Sequence, residues 1–315
     1  MNELHRKVLI VYNPHAGKGK GLKYAEGLQK ALTKLGIPMP QVFCSGSYEI
    51  MREFYKSNAG NKNDYSLIIL IGGDGTIGPN VDCMIKNNIF APIFPLGRGT
   101  ANDFSSFLKT NVSAKHAARI ISQGQIIDAD TLKIDVPENV NSVNYAVSDA
   151  AGGAFTNGVT KYKGKKIFGK LAYIFQAGWH ALSMRAQLCR FTIDGESFEA
   201  KSFLFYILNT KNVGGIRGAG SLAQLDDGLL DFVCIKKCGL WGKFCVGMSA
   251  LFGRIHKNKH VVYRQGKSFF VEIIGEPIHN FTKTDTDGNI GGNYPLKVEI
   301  GPKIRVILNK SAKIR

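Results

Sequence analysis

The sequence predicts an α/β domain built on a doubly wound parallel sheet, followed by a β-rich, sandwich-like domain. In roughly the first 130 residues, apolar runs of strand length alternate with helical patterns, as in βαβ units. After about Asp128, strand signals follow one another and helical patterns become rare. We therefore place the first domain at residues 1–130 and the second at residues 131–303, and residues 304–315 fit either domain.

The elements of the first domain follow from apolar periodicity and turn residues. Leu67–Ile71 is a continuous apolar run, typical of a parallel strand buried on both faces. Pro79 is predicted as the first-turn proline of a helix that ends near Lys86. The other strands are Lys7–Tyr12, Val42–Phe43 and Pro92–Phe94, and the other helices are Gly21–Leu35, Glu49–Lys56, Asn102–Leu108 and Ala114–Ser122.

The second domain is predicted mainly from strand signals. Asp194–Gly195 is a two-residue hairpin turn between two of these strands. Helices are predicted at Phe168–Arg185 and around Trp241–Arg254. The strands are Ile126–Val136, Asn144–Val147, Arg190–Ile193, Ser197–Leu208, Gly228–Ile235, Phe269–Ile274, Leu296–Ile300 and Ile304–Leu308.

The charge balance favours polyanionic partners. The 315 residues include 41 Lys and Arg against 24 Asp and Glu, a formal net charge of +17. An excess of one sign has no role in folding, so it favours an anionic membrane, nucleic acid or phosphorylated substrates, although a basic surface used only for solubility is the simpler alternative. Because the sequence has no compact basic run or recognition helix, we expect no nucleic acid partner.

Cysteine spacing and hydropathy set the expected compartment. The six cysteines form no Cys-x-x-Cys pair and have no His pair at zinc spacing. The N-terminus is polar and leads directly into a strand, and the longest apolar runs are too short to cross a bilayer. We therefore expect a cytoplasmic protein whose contact with a membrane is peripheral.

A glycine-rich turn, Gly72–Thr76, follows the buried strand and precedes a helix. This position is the carboxyl end of a parallel sheet, where ligands bind in open α/β folds. Its glycines let backbone N–H groups approach a phosphate, and the carboxylate of Asp74 can reach a metal or a ribose. A tight turn with an exposed Asp explains the same residues without function.

Two further strand-to-helix turns end at the same edge of the sheet. Asn13–Lys20 carries glycines and lysines that suit polyphosphate, although it is neither a Walker A loop nor a G-x-G-x-x-G motif. In Pro95–Phe104, Thr100 or Asn102 is expected to cap the following helix. Three such turns at one edge predict a nucleotide site.

The motifs together resemble the diacylglycerol kinase catalytic domain, in its bacterial lipid kinase branch. Gly-Gly-Asp-Gly-Thr at 72–76 is followed by Pro-Leu-Gly and Gly-Thr-Ala-Asn-Asp-Phe at 95–104. Leu225–Asp231 matches the Leu-Asp-Asp-Gly-Leu-Leu-Asp pattern of that branch, and Gly169–Tyr173 matches its Gly-Lys-x-Ala-Tyr pattern. The similarity covers nearly the whole chain in the right order.

This resemblance implies a kinase that transfers the γ-phosphoryl group of ATP to a membrane lipid such as diacylglycerol. It implies an active site in the interdomain cleft. The nucleotide-binding residues that the resemblance implies are Asn13, Pro14, His15, Ala16, Gly17, Ser45 (with Ser47 as an alternative), Gly72, Gly73, Asp74, Gly75, Thr76 and Thr100. We add Asn102 and Asp103 of the third turn to this set and expect a Mg²⁺ that bridges the phosphates near Asp74, with Asp103 as its second candidate ligand. Gln224, Asp227 and Leu229 match positions that hold Mg²⁺ in the family, two of them through backbone carbonyls.

The catalytic base is where the sequence departs most from the family. The family carries its base in an Asp-Gly-Glu segment near the C-terminus, but here Asn289 stands in place of the Glu, and an amide cannot accept a proton. Asp287 is therefore predicted as the base, with Asp285 in reserve, and Asp74 as the other catalytic carboxylate. A second Asp-Gly-Glu at 194–196 is taken as structural because it lies in a hairpin.

Other departures leave alternatives open. Gly78 and Pro79 replace the Asn and Glu that usually follow the Gly-Gly-Asp-Gly-Thr turn, and the segment Gly97–Thr100 is two residues longer than usual. The alternatives are an NAD kinase-like enzyme and an inactive lipid- or nucleotide-binding paralogue. The expected partners are the lipid substrate and an anionic membrane, which helix Tyr162–Arg185 would contact unless it is a core helix. The acceptor lipid and a homodimer are left open.

Overall fold

The computed structural model of the protein describes residues 7–58, 65–136, 144–153 and 184–312. The pattern at Gly169–Tyr173 lies outside this part of the chain. So do the helix predicted at Phe168–Arg185 and the membrane contact predicted for Tyr162–Arg185, apart from Met184 and Arg185. Within the described ranges, no helix has the length and hydropathy needed to cross a bilayer.

The first sheet is mostly parallel and has helices on both faces. Leu67, Ile69 and Ile71 pack into one core while Ile68 and Leu70 pack into the other, as expected for a strand between two helical layers. The helices are Gly21–Thr33, Tyr48–Ser57, Asp74–Lys86, Asp103–Phe107 and Ala114–Gln123. The strand order is Gln41–Cys44, Lys7–Tyr12, Tyr65–Gly72, Ile93–Gly97, Ile304–Leu308 and Gln125–Ala129, of which only the last pair is antiparallel.

The second sheet is antiparallel and encloses a core rich in phenylalanine. Phe191, Phe205, Phe232 and Phe269 are each at most 1% exposed, and their rings pack in stacked and edge-to-face pairs. The path runs Asn289–Ile290, Thr284–Thr286, Asp149–Gly153, Glu196–Leu208, Gln187–Ile193, Ser268–Ile273, Leu296–Ile300, Leu132–Asp135 and Tyr145–Ala146, and Leu230–Lys236 joins Glu196–Leu208 to Val261–Gly266. The predicted fold class, an α/β domain and a sandwich-like domain, is confirmed.

Smaller elements of the second domain pack outside this sheet. The hairpin strands Asn212–Val213 and Ile216–Arg217 precede the helix Leu240–Leu251, and short 3₁₀ helices lie at Ile255–Lys257 and His279–Phe281. Three strands of this domain, Asp149–Gly153, Val261–Gly266 and Thr284–Thr286, were not predicted. Asp149–Gly153 has no β-branched or aromatic residue and Thr284–Thr286 has only three residues, whereas Val261–Gly266 opens with Val-Val-Tyr, a strand signal that the sequence analysis missed.

Two predicted elements are wrong in their bounds. The helix predicted to start at Pro79 begins at Asp74, so Pro79 lies inside it. The Pro79 ring has no N–H to give the Gly75 carbonyl. One residue on, the Asn80 side chain donates to the Thr76 carbonyl at 2.8 Å. The single strand predicted at Ile126–Val136 is two strands in different sheets, because the chain leaves the first sheet at Asp130–Thr131.

A buried carboxylate ties the two domains together. Asp82 is fully buried in helix Asp74–Lys86 of the first domain. Its Oδ1 accepts the backbone N–H groups of Asn144 (2.8 Å) and Tyr145 (3.0 Å) in the second domain. Its Oδ2 accepts the Tyr48 hydroxyl at 2.6 Å and lies 3.0 Å from the Lys86 ammonium. The helix that starts at Asp74 is therefore fixed against the second domain.

Candidate active site

The three glycine-bearing turns meet at one edge of the first sheet. The Gly17 N–H donates to the Arg98 carbonyl at 2.8 Å, and the Arg98 N–H donates to the Gly72 carbonyl at 2.7 Å. Gly73 and Gly99 face each other so closely that a Cβ on Gly73 would lie 2.9 Å from the Gly99 Cα. The predicted convergence is therefore present, and backbone contacts hold it together.

The first turn is anchored by Asn13. Its Nδ2 donates to the Thr76 hydroxyl at 2.9 Å, and its Oδ1 accepts the His15 N–H at 2.9 Å. Gly17 and Lys18 both adopt left-handed conformations, so the chain turns back over the sheet edge. Pro14 is half-buried, His15 is exposed and Ala16 is buried, so His15 is the most accessible side chain of Asn13–Gly17.

The third turn does not cap its helix with its own side chains. Asn102 precedes helix Asp103–Phe107 with a left-handed φ of 55° and makes no capping hydrogen bond. Its amide instead clamps Gly99, accepting the Gly99 N–H at 2.6 Å and donating to the Gly99 carbonyl at 3.0 Å. Thr100 is exposed at the tip of the turn. The predicted cap by Thr100 or Asn102 is therefore wrong.

Asp74 caps that helix from a neighbouring turn. Its carboxylate accepts the Asp103 N–H at 3.0 Å and the Phe104 N–H at 3.3 Å. Burial raises the pKa of Asp74, and these N–H groups oppose the rise. A carboxylate at a helix N-terminus is the favourable placement for negative charge, so Asp74 links the second and third turns.

Asp103 lies between this helix and the second domain. Its side chain is 5% exposed, and its Oδ1 accepts the Gly215 N–H at 3.0 Å from the hairpin Asn212–Arg217. Burial first and the carboxylate of Asp74 second raise the pKa of Asp103 to about 6. Two adjacent carboxylates thus lie at the edge where the three turns converge.

Asp287 is held inside the second domain. It is 1% exposed and has a left-handed φ of 48°. Its Oδ2 accepts the Val147 N–H at 2.9 Å, and its Oδ1 accepts those of Ser148 (2.8 Å) and Asp149 (3.1 Å). Burial raises the pKa of Asp287 to about 7 although these three donors lower it. The charge of Asp74 raises it further, so the two predicted catalytic carboxylates are electrostatic neighbours.

Two more carboxylates belong to this cluster. Asp149 lies in strand Asp149–Gly153 and is 6% exposed. Burial raises its pKa well above the ordinary value, and Asp285, Asp287, Asp103 and Asp74 raise it further. Burial also raises the pKa of Asp285 to about 7, and its Oδ1 accepts the Gly288 N–H at 3.0 Å. Asp149 was missed from sequence, because no strand was predicted there.

The departures from the family pattern lie directly beside these carboxylates. A Cβ at Gly78 would overlap the Oδ2 of Asp287, so only glycine at this helix position lets that carboxylate approach. The amide of Asn289 faces Gly75, where a Cβ would lie 3.2 Å from its Oδ1. Gly78 thus accommodates Asp287, and Asn289 lies against the Gly72–Thr76 turn.

A cavity of about 400 Å³ opens between the two domains. Four of the predicted nucleotide-site residues line it: Asn13, Ser45, Gly75 and Thr76. Ser45 is 1% exposed and donates to the Tyr12 carbonyl at 3.1 Å, whereas Ser47 caps helix Tyr48–Ser57. The apolar part of its lining, which sequence reasoning missed because it comes from both domains, is Met51, Pro79, Ile134, Val136 and Ile290.

The predicted magnesium loop lies apart from this cavity. Gln224, Asp227 and Leu229 do not line it. Asp227 is exposed, and its Oδ1 accepts the Leu229 N–H at 3.0 Å. Lys303 supplies a positive charge here, since its ammonium lies 3.3 Å from the Asp226 carbonyl and 3.3 Å from the Asp130 carboxylate.

Carboxylate oxygens beside the cleft are of the type that a hard cation prefers. Burial raises the pKa values of five carboxylates there, although none of them lines the cavity: Asp74, Asp103, Asp149, Asp285 and Asp287. A divalent ion would offset the charge that these groups carry when ionised. Within the described residues, however, no cluster of three or more His, Cys, Asp or Glu side chains has the geometry of a complete metal site. A cation in the cleft would thus need oxygen ligands from outside the protein as well.

Comparison with known proteins decides the family. Residues 7–134 match the model of the diacylglycerol kinase catalytic domain, and residues 143–309 match the YegS C-terminal NAD kinase beta sandwich-like domain. The chain belongs to the diacylglycerol kinase family. The resemblance read from the motifs is confirmed, and the protein is an enzyme of the lipid kinase class.

Relatives and solved structures match along almost the whole chain. A protein named diacylglycerol kinase from Staphylococcus epidermidis (strain ATCC 35984) is 27% identical over 296 residues, covering 93% of this chain and 88% of its own. One from Staphylococcus aureus (strain bovine RF122) is 25% identical over 294 residues, covering 93% and 89%. A crystal structure of a diacylglycerol kinase from Bacillus anthracis str. Sterne superposes with a TM-score of 0.73 at 19% identity, covering 98% of both chains. Another structure from that strain gives a TM-score of 0.79 at 21% identity, covering 98% and 97%. These two structures bear on the fold alone.

Proposed function

We propose that this member of the diacylglycerol kinase family transfers the γ-phosphoryl group of ATP to the hydroxyl of a diacylglycerol-like membrane lipid. Phosphoryl transfer depends on positioning and charge neutralisation more than on covalent chemistry. The accessible lysines Lys18 and Lys20 lie in the first turn, and the helix Asp74–Lys86 begins in the second. These groups would bind the polyphosphate, with Thr100 exposed at the rim.

The cavity between the domains is the observation that carries this proposal. Its polar lining includes Asn13, Ser45, Thr76 and Asn289, and the first three belong to or adjoin the nucleotide turns. Its apolar lining comes from both domains and includes Met51 and Val136. An acceptor that carries both a hydroxyl and hydrocarbon matches this mixed lining, whereas the nicotinamide dinucleotide of an NAD kinase would bring polar groups against the apolar residues.

Asp74 and Asp103 are the residues that would hold Mg²⁺ in the cleft. The ion would neutralise the charge that the phosphates bring beside the carboxylates. Gln224, Asp227 and Leu229 would hold a second ion, with a structural role, at a distance from the cavity. Asp74 also keeps its own structural task, since its carboxylate fixes the start of helix Asp103–Phe107.

Asp287 is proposed as the group that accepts the hydroxyl proton. Its pKa of about 7 lies near neutral pH, where a general base is most effective. Three backbone donors fix the carboxylate, so its position does not depend on a flexible side chain. Asp285 has the same raised pKa and is less buried, and it is the alternative base.

A transfer assay tests the proposal. The protein is incubated with ATP labelled on the γ-phosphate, Mg²⁺ and either diacylglycerol in detergent micelles or NAD. We expect label in phosphatidic acid, and Asp74→Asn should lower turnover by about 10²-fold or more because it weakens the hold on the Mg²⁺ that would neutralise the phosphates. Since Asp74 also caps a helix, a loss of about 1 kcal/mol in unfolding free energy is expected with it.

The assay separates the rival functions. Transfer to NAD with no labelled lipid would identify an NAD kinase-like enzyme and overturn the proposal. Nucleotide binding without labelling of any lipid in a total membrane extract would identify an inactive paralogue. In that case Asn289→Glu, which restores the family residue beside Gly75, tests whether a lost carboxylate is the cause.

A further inference from the structure

The helix Leu240–Leu251 exposes an apolar face to solvent, unlike an ordinary surface helix. It packs on the second domain through the buried side of Gly242, Val246 and Ala250. Its opposite side presents large apolar side chains, with Trp241 75% and Leu251 66% exposed. A surface helix normally carries polar residues on that side. The exposed apolar surface consists of Leu240, Trp241, Phe244, Met248, Leu251 and, just after the helix, Phe252.

This apolar surface is continuous. Its helical members recur at spacings of three and four residues, so they lie along one face of the helix. The rings of Trp241 and Phe244 stack with their centroids 5.3 Å apart. Contiguous apolar surface of this kind on a folded protein marks a site of interaction with a partner or a membrane.

The part of the chain around the helix is basic. No acidic residue stands between Asp231 and Glu272 in the sequence. Six basic residues of this stretch lie in the helix or within eight residues of its ends: Lys236, Lys237, Lys243, Arg254, Lys257 and Lys259. Two more, Arg264 and Lys267, lie farther along the chain, and the Arg264 guanidinium is 3.5 Å from the Glu196 carboxylate.

We propose that the helix Leu240–Leu251 docks the protein on an anionic lipid bilayer. Tryptophan and phenylalanine insert at the boundary between head groups and acyl chains, and each lysine or arginine near an anionic surface adds about 1 kcal/mol. A second copy of the chain fits the surface less well. In a two-fold dimer the same patch meets itself, which would bring the six basic residues near the helix against those of the second copy.

The docking surface connects with the active site through one hairpin. Gly218 packs against the helix so closely that a Cβ there would lie 2.7 Å from the Ala250 carbonyl. The preceding hairpin Asn212–Arg217 donates its Gly215 N–H to Asp103. A bilayer docked on the helix would therefore be separated from Asp103 by a single hairpin. The inference deepens the proposed function and rests on it for the identity of the membrane lipid, but vesicle binding can be measured without any phosphoryl transfer.

Vesicle binding tests the proposal with the whole 315-residue chain. The chain has two tryptophans, so Trp179→Phe leaves Trp241 as the sole reporter. Brominated phosphatidylcholine is included in vesicles of phosphatidylcholine with or without phosphatidylglycerol. We expect quenching of Trp241 with the anionic vesicles and at least about tenfold weaker binding to the neutral ones. Absence of quenching in anionic vesicles would overturn the docking surface.

Matched variants distinguish binding through this surface from nonspecific binding to membranes. Phe244→Ser with Leu251→Ser should weaken sedimentation with anionic vesicles by about tenfold or more, whereas Met39→Ser with Phe90→Ser, both exposed on the first domain, should not. Lys257→Glu with Lys259→Glu should weaken binding more than Lys30→Glu with Lys34→Glu, which changes net charge equally on helix Gly21–Thr33 and just beyond it. Equal effects within either pair would overturn the proposal.

Two further outcomes are decisive. A dimer in solution that Phe244→Ser with Leu251→Ser converts to monomer, without vesicle binding by the parent protein, would assign the surface to a second copy and overturn docking. Vesicle binding without phosphoryl transfer to any lipid would instead leave docking intact and remove the proposed function. The two proposals therefore fail separately.

Discussion

Two hairpins of the second domain carry the same Asp-Gly turn. Asp194 and Gly195 join strands Gln187–Ile193 and Glu196–Leu208, and Asp287 and Gly288 join Thr284–Thr286 to Asn289–Ile290. Both aspartates have a φ of 48°, and both glycines have positive φ, 90° and 75°. Locally the two turns are the same structure, so lying in a hairpin cannot by itself make one structural and the other functional.

What differs is the surroundings of each carboxylate. The exposed Asp194 accepts the N–H groups of Lys267 and Ser268 from a neighbouring loop. Asp287 accepts three N–H groups from 147–149 in the same way, but it is buried and lies beside other carboxylates. The same turn thus produces an exposed anchor at one place and a buried group with a pKa of about 7 at the other.

The largest expected difference is in catalysis. Asp287→Asn removes the proposed base and should lower kcat by 10²–10⁴-fold, with little change in the KM for ATP, whose contacts lie in the other domain. It also replaces one acceptor oxygen by an amide NH₂ facing backbone donors, so the unfolding free energy should fall by about 1–3 kcal/mol. Steady-state kinetics and thermal unfolding measure the two effects.

Asp194→Asn is the matched control for that substitution. Its carboxylate is exposed, so water can replace the lost contacts, and kcat should stay within about twofold of the parent value. Asp285→Asn should lower kcat by a factor between those of Asp194→Asn and Asp287→Asn. If Asp285→Asn reduces kcat more than Asp287→Asn, then Asp285 is the base and Asp287 only supports the turn.

The second expected difference is steric. Each of the two carboxylates packs against a glycine: Gly78 faces Asp287 and Gly266 faces Asp194. Gly78→Ala would put a methyl group into a carboxylate that three donors hold in place, so it should destabilise the protein by about 1–3 kcal/mol and reduce kcat. A Cβ at Gly266 would lie 2.9 Å from the Oδ2 of Asp194 and 2.8 Å from the Ile193 side chain. Those side-chain ends can shift, so Gly266→Ala should lower the unfolding free energy by less than Gly78→Ala does. Equal losses of unfolding free energy for the two variants in denaturant titrations would contradict this expectation.

The sequence predicted the first domain and its turns better than it predicted the second domain's part of the site. Strand-to-helix turns such as Gly72–Thr76 are local, and a parallel sheet necessarily brings them to one edge. The cap from Asp74 to a helix about thirty residues away, the Gly78–Asp287 contact and the place of Asp149 depend on pairing between distant segments. No local pattern carries that information.

The third expected effect is on the pH dependence of stability. Folding raises the pKa of Asp285 and Asp287 to about 7 each, against about 3.9 in an unfolded chain. Between these values the folded state binds more protons, so this contribution to stability is complete below about pH 4 and is lost as pH rises to about 7. The melting temperature should therefore be higher at pH 5 than at pH 8, and Mg²⁺ should restore part of the loss at pH 8.

Asp285→Asn should flatten this pH dependence, because it removes one of the groups that titrate, whereas Asp194→Asn should leave it unchanged. Scanning calorimetry across pH 5–8 on the parent and both variants measures the slopes. A melting temperature that rises with pH in the parent protein would show that the carboxylates in the cleft are ionised at pH 5.

The smallest expected effect tests the similarity of the two turns themselves. Gly195 and Gly288 have positive φ, and a Cβ on either would meet nothing within 4 Å. Alanine at these positions thus adds backbone strain and no clash, so Gly195→Ala and Gly288→Ala should each destabilise the protein by about 1 kcal/mol. Denaturant titrations should place the two losses within a few tenths of a kcal/mol of each other. A much larger loss for Gly288→Ala would mean that the turn conformation, and not the burial of Asp287 alone, distinguishes the two hairpins, since strain there would be transmitted to a carboxylate that cannot relax.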